Sequence, residues 1–369
     1  MIRGIRTVRG SLILALALSS SGFAKCPISD GATLVVRSAV GDLHVDTAGR
    51  DSAEVQVDNI AVQVQETCGK DVVQFTGNAS DRSKGTIAWK ITVPKTVHLD
   101  LVTMAGNITA GDIDGNVILR TAGGSVTIGQ IKGNATLISQ GGSIKAGNVG
   151  GNAELRSEGG TLELGDVGGN AELHTSAGVI RAGNVTGSVF AEAGRTIYIA
   201  KAGEVKATTN AGDISIGDAT RINAKSGGGN ITSRRVRGPF QGRTESGDIR
   251  LDSAASWVEA YTGKGNILVR LVPENLDGDL HMNLEAGNFG DITVYLPSRL
   301  RASVDASVQR PAFQSQQIVS EFPTVPSRPP QGLIPNKFYT GMRSESVLNG
   351  GGNKIVLHTA LGKITIRKN

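Results

Sequence analysis

Aromatic side chains are scarce in this chain: eight Phe, four Tyr and two Trp make up 4% of 369 residues. So few rings do not fill an ordinary compact core of this length, so a conventional globular domain is a poor fit. Cysteine is nearly absent, with only Cys26 and Cys68, which excludes a disulfide-dense scaffold and a cysteine-rich zinc site. The one long apolar stretch, Ser11 to Ala24, is shorter than the roughly 20 residues a membrane-spanning helix needs. Charge of one sign is lacking as well. The 38 basic residues against 33 acidic ones give +5, too even a balance to argue for a nucleic-acid partner.

The first residues account for part of that excess. Arg3, Arg6 and Arg9 precede the apolar run Leu12 to Leu18, and small residues surround Phe23 at Gly22 and Ala24. This is the layout of a secretory signal peptide over 1–24, cleaved after Ala24. Its removal leaves 35 basic and 33 acidic residues, 35 − 33 = +2. In an exported chain the pair Cys26 and Cys68 is expected as a disulfide. Two free thiols or a lipid on Cys26 are the alternatives, and Lys25 suits lipoprotein processing poorly.

What the chain has in abundance is glycine, 50 residues, and its placement is periodic. Glycines at 106, 124, 142, 160 and 178 are 18 apart, each followed at two and four positions by apolar residues such as Val126/Ile128 and Leu162/Leu164. A second column at 115, 133, 151, 169 and 187 is followed the same way, as in Val117/Leu119 and Ala135/Leu137. Alternation with period two reads as strand and glycine at its borders as turn. A third apolar column runs through Ile113, Ile131, Val149, Val167 and Val185. A six-residue solenoid fails, because the position six after Val126 is Lys132 and its equivalents are polar or glycine.

The fold class is therefore all-β, a single-chain β-solenoid (β-helix) of about 18-residue coils, expected right-handed, with N-terminal cap strands. The first coil and cap strands are assigned to 25–100, solenoid repeats to 101–310, a Pro-rich loop to 311–346 and a terminal coil to 347–369. Residues 50–96 alternate but leave the register, which suits a cap over unpaired strand edges. Six of the eleven prolines lie between Pro311 and Pro335, which reads as loop rather than strand.

The segment Ile91-Thr92-Val93-Pro94 leading into Gly106-Asn107-Ile108-Thr109, the recurring Gly-Asp-Ile or Gly-Asn-Ile units, and Gly350-Gly351-Gly352-Asn353 with Gly362-Lys363-Ile364-Thr365-Ile366 resemble the bacterial putative-adhesin β-solenoid family. That family is a domain of unknown function related to head-GIN adhesin domains. The likeness covers almost the whole chain after the leader and rests on repeat texture. It implies a location in the envelope or at the surface.

No cofactor or metal is expected. The five histidines, at 44, 98, 174, 281 and 358, have no close ligand spacing to one another or to cysteine. The half-units lack the Gly-Gly-x-Gly-x-Asp of calcium solenoids. No Gly-x-Ser-x-Gly elbow accompanies a helix, and a Thr-x-Thr array of the ice-binding kind breaks after two coils. Asn116, Asn134, Asn152 and Asn170 form a column suited to bonding turn backbone. Glu154 and Glu172 share an outward column on adjacent coils, with Arg156 and His174 two residues on, the one arrangement resembling paired-acid chemistry. A solvated, charge-balanced face explains them more simply. Lys145, Glu163 and Arg181 alternate in sign along another column. Arg234, Arg235, Arg237 and Arg243 are a candidate patch for an anionic ligand, against a solvated corner loop.

The sequence thus points to an exported cell-envelope solenoid (periplasm, outer surface or extracellular) with a structural, adhesin-like or interaction role and no evident catalytic site. Its partner would be an envelope protein or a surface glycan, with no nucleic acid and no transmembrane segment after signal cleavage. The alternatives are a polysaccharide lyase or hydrolase using the Glu154/Glu172 face, and an accessory protein in envelope-stress signalling.

Overall fold

Inward aliphatics at every second position, interrupted by glycine every nine residues, leave the chain one way to bury its apolar stripe: it winds and stacks each coil on the last. The computed structural model describes residues 17–19, 22–48, 51–58, 62–79, 87–309, 317–323, 325–327 and 341–369. These contain strands and no helix, joined into one continuous sheet. None of the described residues forms a helix long and apolar enough to cross a membrane.

Two walls carry the coils. On wall A, Thr33–Ser38, His98–Thr103, Val117–Thr121, Ala135–Ser139, Ala153–Ser157, Ala171–Thr175 and Val189–Ala193 follow one another in parallel. On wall B, Asp42–Asp46, Ile108–Ala110, Val126–Ile128, Ile144–Ala146, Leu162–Leu164 and Ile180–Asn184 do the same. Neighbouring strands lie about 4.8 Å apart, so like stacks on like: Leu119, Leu137, Leu155 and Leu173 form one fully buried row. The third apolar column makes parallel bridges from Ile113 through Ile131 and Val149 to Val167 and Val185. Further on, Ile197–Thr209 and Ile214–Ser226 each cross from wall B to wall A without a break.

The corners explain the glycines. A side chain at Gly142 would enter the backbone of Gly124 one coil below, and Gly160 meets Gly142 in the same way. A buried hydroxyl bolts each of these corners. Ser139 donates to the Gly124 carbonyl at 2.8 Å and accepts from the Gly142 N–H at 2.8 Å, and Thr175 links Gly160 and Gly178 at 2.7 and 3.1 Å. On the outside, the Asn134 side-chain oxygen accepts the Asn152 N–H, and that of Asn152 accepts the Asn170 N–H, both at 2.8 Å. Asp166 does the same for Asn184 at 2.7 Å. These outer amides and acids are turn chemistry that repeats along the stack.

The ends depart from the expected boundaries. Residues 72–92 are not simply cap. Val72–Ala79 and Ala88–Thr92 stack in parallel on Thr33–Ser38 and Asp42–Asp46, so they form a true coil on the outer side of the first one. Val73, Phe75, Trp89 and Ile91 supply its buried row. The antiparallel cap lies beyond it, with Val62–Cys68 on wall A and Ser52–Val57 on wall B. Cys26 and Cys68 are disulfide-bonded, Cα atoms 5.4 Å apart, joining strand Phe23–Pro27 of wall B to the cap strand of wall A. The leader assigned to 1–24 falls largely outside the described residues. Its described parts are Ala17–Ser19, antiparallel to Val62–Cys68, then Gly22, and Phe23 and Ala24 within the wall B strand.

The C-terminus is built in the same way, and two sequence-based assignments change. The coil at 347–369 is not terminal in space. Asn353–Thr359 inserts between Met282–Ala286 and Ala302–Val308, and Ile364–Lys368 between Ile292–Leu296 and Ile318–Ser320. The segment 311–346 is not all loop either, since Ile318–Ser320, Val325–Ser327 and the start of Met342–Leu348 are strands within it. Proline is tolerated there because Pro326 sits in an edge strand that pairs on one side, with Met342–Leu348.

Candidate binding groove on wall A

The outward columns of wall A bring together the acid pair and its neighbours. Glu154 and Glu172 are in register on adjacent strands, as are Arg156 and His174. Arg156 serves both acids: its Nε donates to Glu154 at 2.7 Å, and its Nη2 donates to Glu172. The hydrogen bond to Glu154 holds the guanidinium more firmly in its charged form. His174 meets not these acids but Glu192, at 3.2 Å. The cluster is therefore an exposed ion-pair network rather than two carboxyls in contrasting environments.

The same wall continues with changed chemistry. The corner column that begins with Asn134, Asn152 and Asn170 passes to Ser188, Glu204 and Arg221, the last two paired at 3.5 Å. Beside it, Thr136, Glu154 and Glu172 give way to Phe190, whose ring lies 5.0 Å below the Lys206 ammonium. Together they line an open groove of about 540 Å³ reaching from Asn134 to Asn223. A second stretch of about 380 Å³ starts at Asn223 and runs to Asn283 and Glu285. In it Asn223 donates to Gln241 at 3.3 Å and Gln241 to Glu259 at 2.9 Å. Arg243 lies 4.0 Å over the Tyr261 ring and 3.2 Å from Glu245. At the far corner Trp257 stacks on His281, centroids 5.1 Å apart, and His281 binds the Asp279 carboxylate at 2.6 Å. That hydrogen bond holds the Asp279 carboxyl below its ordinary range.

The four arginines of the candidate patch are spread over both walls and the corner between them. Arg234 lies on Ile231–Val236 of wall B and pairs with Asp218 at 2.9 Å, with Arg235 beside it in register with Asp218. Arg243 sits on Phe240–Thr244 of wall A, engaged as above, and Arg237 is exposed at the turn between the two strands. Adjacent in sequence, the four are divided by the corner. On wall B, Lys145 and Glu163 approach to 3.6 Å, while Arg181 lies over Tyr198 at 5.5 Å. Among the described residues no group of three or more His, Cys, Asp or Glu is placed to hold a metal ion.

Solved structures that match the chain include two described as adhesion proteins. A putative adhesin from Bacteroides fragilis is 19% identical and matches over 78% of this chain and all of its own length, with a TM-score of 0.28. A putative cell adhesion protein from Clostridium sporogenes is 9% identical and matches over 94% of this chain and 99% of its own, with a TM-score of 0.17. No family model and no curated protein matches the chain.

Sequence reading missed two features. The buried hydroxyl column was visible as Thr103, Thr121, Ser139, Ser157 and Thr175, polar residues recurring every 18 in an otherwise apolar phase. The groove had only a faint signal, the loss of asparagine from its column at Ser188, Glu204 and Arg221.

Proposed function

We propose that this protein is an exported, non-catalytic interaction module of the cell envelope, adhesin-like in role, that holds a hydroxyl-rich polymer such as a surface glycan strand along wall A. The observation that carries this reading is the groove from Asn134 to Glu285, which crosses many coils and mixes amides, hydroxyls, ion-paired acids and rings. Such a lining offers donors and acceptors to sugar hydroxyls and apolar ring faces to their carbons. Its charges are largely paired among themselves, so a neutral or weakly charged polymer suits it better than a polyanion. Export is supported by the leader-like start and by the Cys26–Cys68 disulfide, which persists in oxidising compartments.

The hydrolase or lyase alternative loses its best candidates to Arg156. Paired-acid catalysis needs one carboxyl kept protonated by a desolvated site, whereas Glu154 and Glu172 are both ion-paired and partly exposed. A glycan array combined with a reducing-end release assay tests the proposal. Binding without product release is expected. Release that disappears in Glu172→Gln would establish the enzyme instead.

A further inference from the structure

We infer that the exported protein forms a two-fold dimer through the outer edge of strand Val62–Cys68. The inference rests on the export reading, specifically on a leader ending at Ala24. In the full chain that edge is occupied: Ala17, Leu18 and Ser19 lie antiparallel on Glu66, Gln65 and Val64. All three belong to the leader, so cleavage takes away the strand that covers this edge.

Hydrogen bonding shows which groups are then freed. The Gly69 N–H donates to the Val72 carbonyl in the turn to Val72–Ala79, so odd-numbered residues of the strand face their partner within the chain. By alternation Val64 and Glu66 direct their N–H and C=O outward. An edge of this length, alternating Val-Gln-Val-Gln-Glu and free of proline, is a ready template for another strand. The opposite end of wall A is not equivalent, because its edge strand Val325–Ser327 carries Pro326, which has no N–H to offer. Head-to-tail stacking is therefore disfavoured, and the occupant that fits is the same edge of a second copy. A two-fold axis through Gln65, the centre of the strand and of the leader's pairing, sets Val64 of each copy against Glu66 of the other, exchanging both backbone bonds. It sets Gln65 directly opposite its twin as a close, non-hydrogen-bonded pair. Such a contact closes on itself and ends at two chains.

Light scattering on the protein purified after export, with its N-terminus sequenced, tests this. A chain starting at Lys25 with twice the monomer mass is expected, and a monomeric mass for the leader-retaining precursor. Gln65→Lys places like charges opposite each other and should give monomers. Mixing it with Gln65→Glu should restore the dimer, a rescue that misfolding would not produce. A Lys25 chain that stays monomeric at tens of micromolar overturns the inference, as does a dimeric precursor or a Gln65→Lys variant that remains dimeric. A chain still starting at Met1 overturns the export reading itself, and the dimer with it.

Discussion

Thr175 shows how little each residue is free to vary. The residue is 1% exposed, and its hydroxyl joins the Gly160 carbonyl to the Gly178 N–H. Thr175→Val keeps the shape and strands two buried backbone groups, which should cost about 1–3 kcal/mol. A urea midpoint equal to that of wild type would show that these groups find other partners. Titration offers a second test. The Asp279 carboxyl is held below its usual range by His281, so the pair stabilises the folded chain at neutral pH. That contribution is present above the ordinary carboxyl pKa and disappears as pH falls through the depressed one. With both groups substantially exposed the effect is small. The midpoint difference between wild type and Asp279→Asn should shrink towards zero in acid, and a difference that grows there would assign the shift to another group.

The elements divide by how strictly they repeat. Coils from Gly106 to Gly187 were legible because the same corner recurs every 18 residues, so inward and outward positions follow from counting. Leu137→Asp should accordingly lose the β-sheet circular dichroism signal, since it puts an unpaired charge in a closed aliphatic row. The ends were not legible, because there the chain doubles back. Thr33–Ser38 lies between Val72–Ala79 and His98–Thr103, neighbours remote in sequence and joined by segments of different length. Periodicity carries no information about such re-entry. The four arginines are spread over two walls for a related reason, since three residues of chain, 237–239, are enough to turn the corner between Ile231–Val236 and Phe240–Thr244. Within the N-terminal end, the disulfide spans 42 residues, and Cys68→Ser should cost roughly 3–4 kcal/mol in the chain-entropy model. Differential scanning calorimetry would register the loss as earlier melting, while an unchanged transition would mean that the cap melts independently of the bond.

At the scale of the whole molecule, one rule of construction produces both the stacked coils and the variable outer face proposed for binding. Stacking fixes the inward columns to aliphatics and the corners to glycine and hydroxyl, which leaves the outward columns free to differ from coil to coil. On wall A that freedom is spent on amides, ion pairs and rings set at intervals of about 4.8 Å, a surface suited to a long polymer more than to a small molecule. Phe190 is the ring that faces the larger stretch of this groove and contributes nothing to the buried core. The most direct measurement is calorimetric titration of wild type and Phe190→Ala with the glycan that binds best on the array. A loss of at least tenfold in affinity, about 1.4 kcal/mol or more, is expected with an unchanged melting temperature. Equal affinity in the two proteins would contradict it and move the binding surface away from wall A.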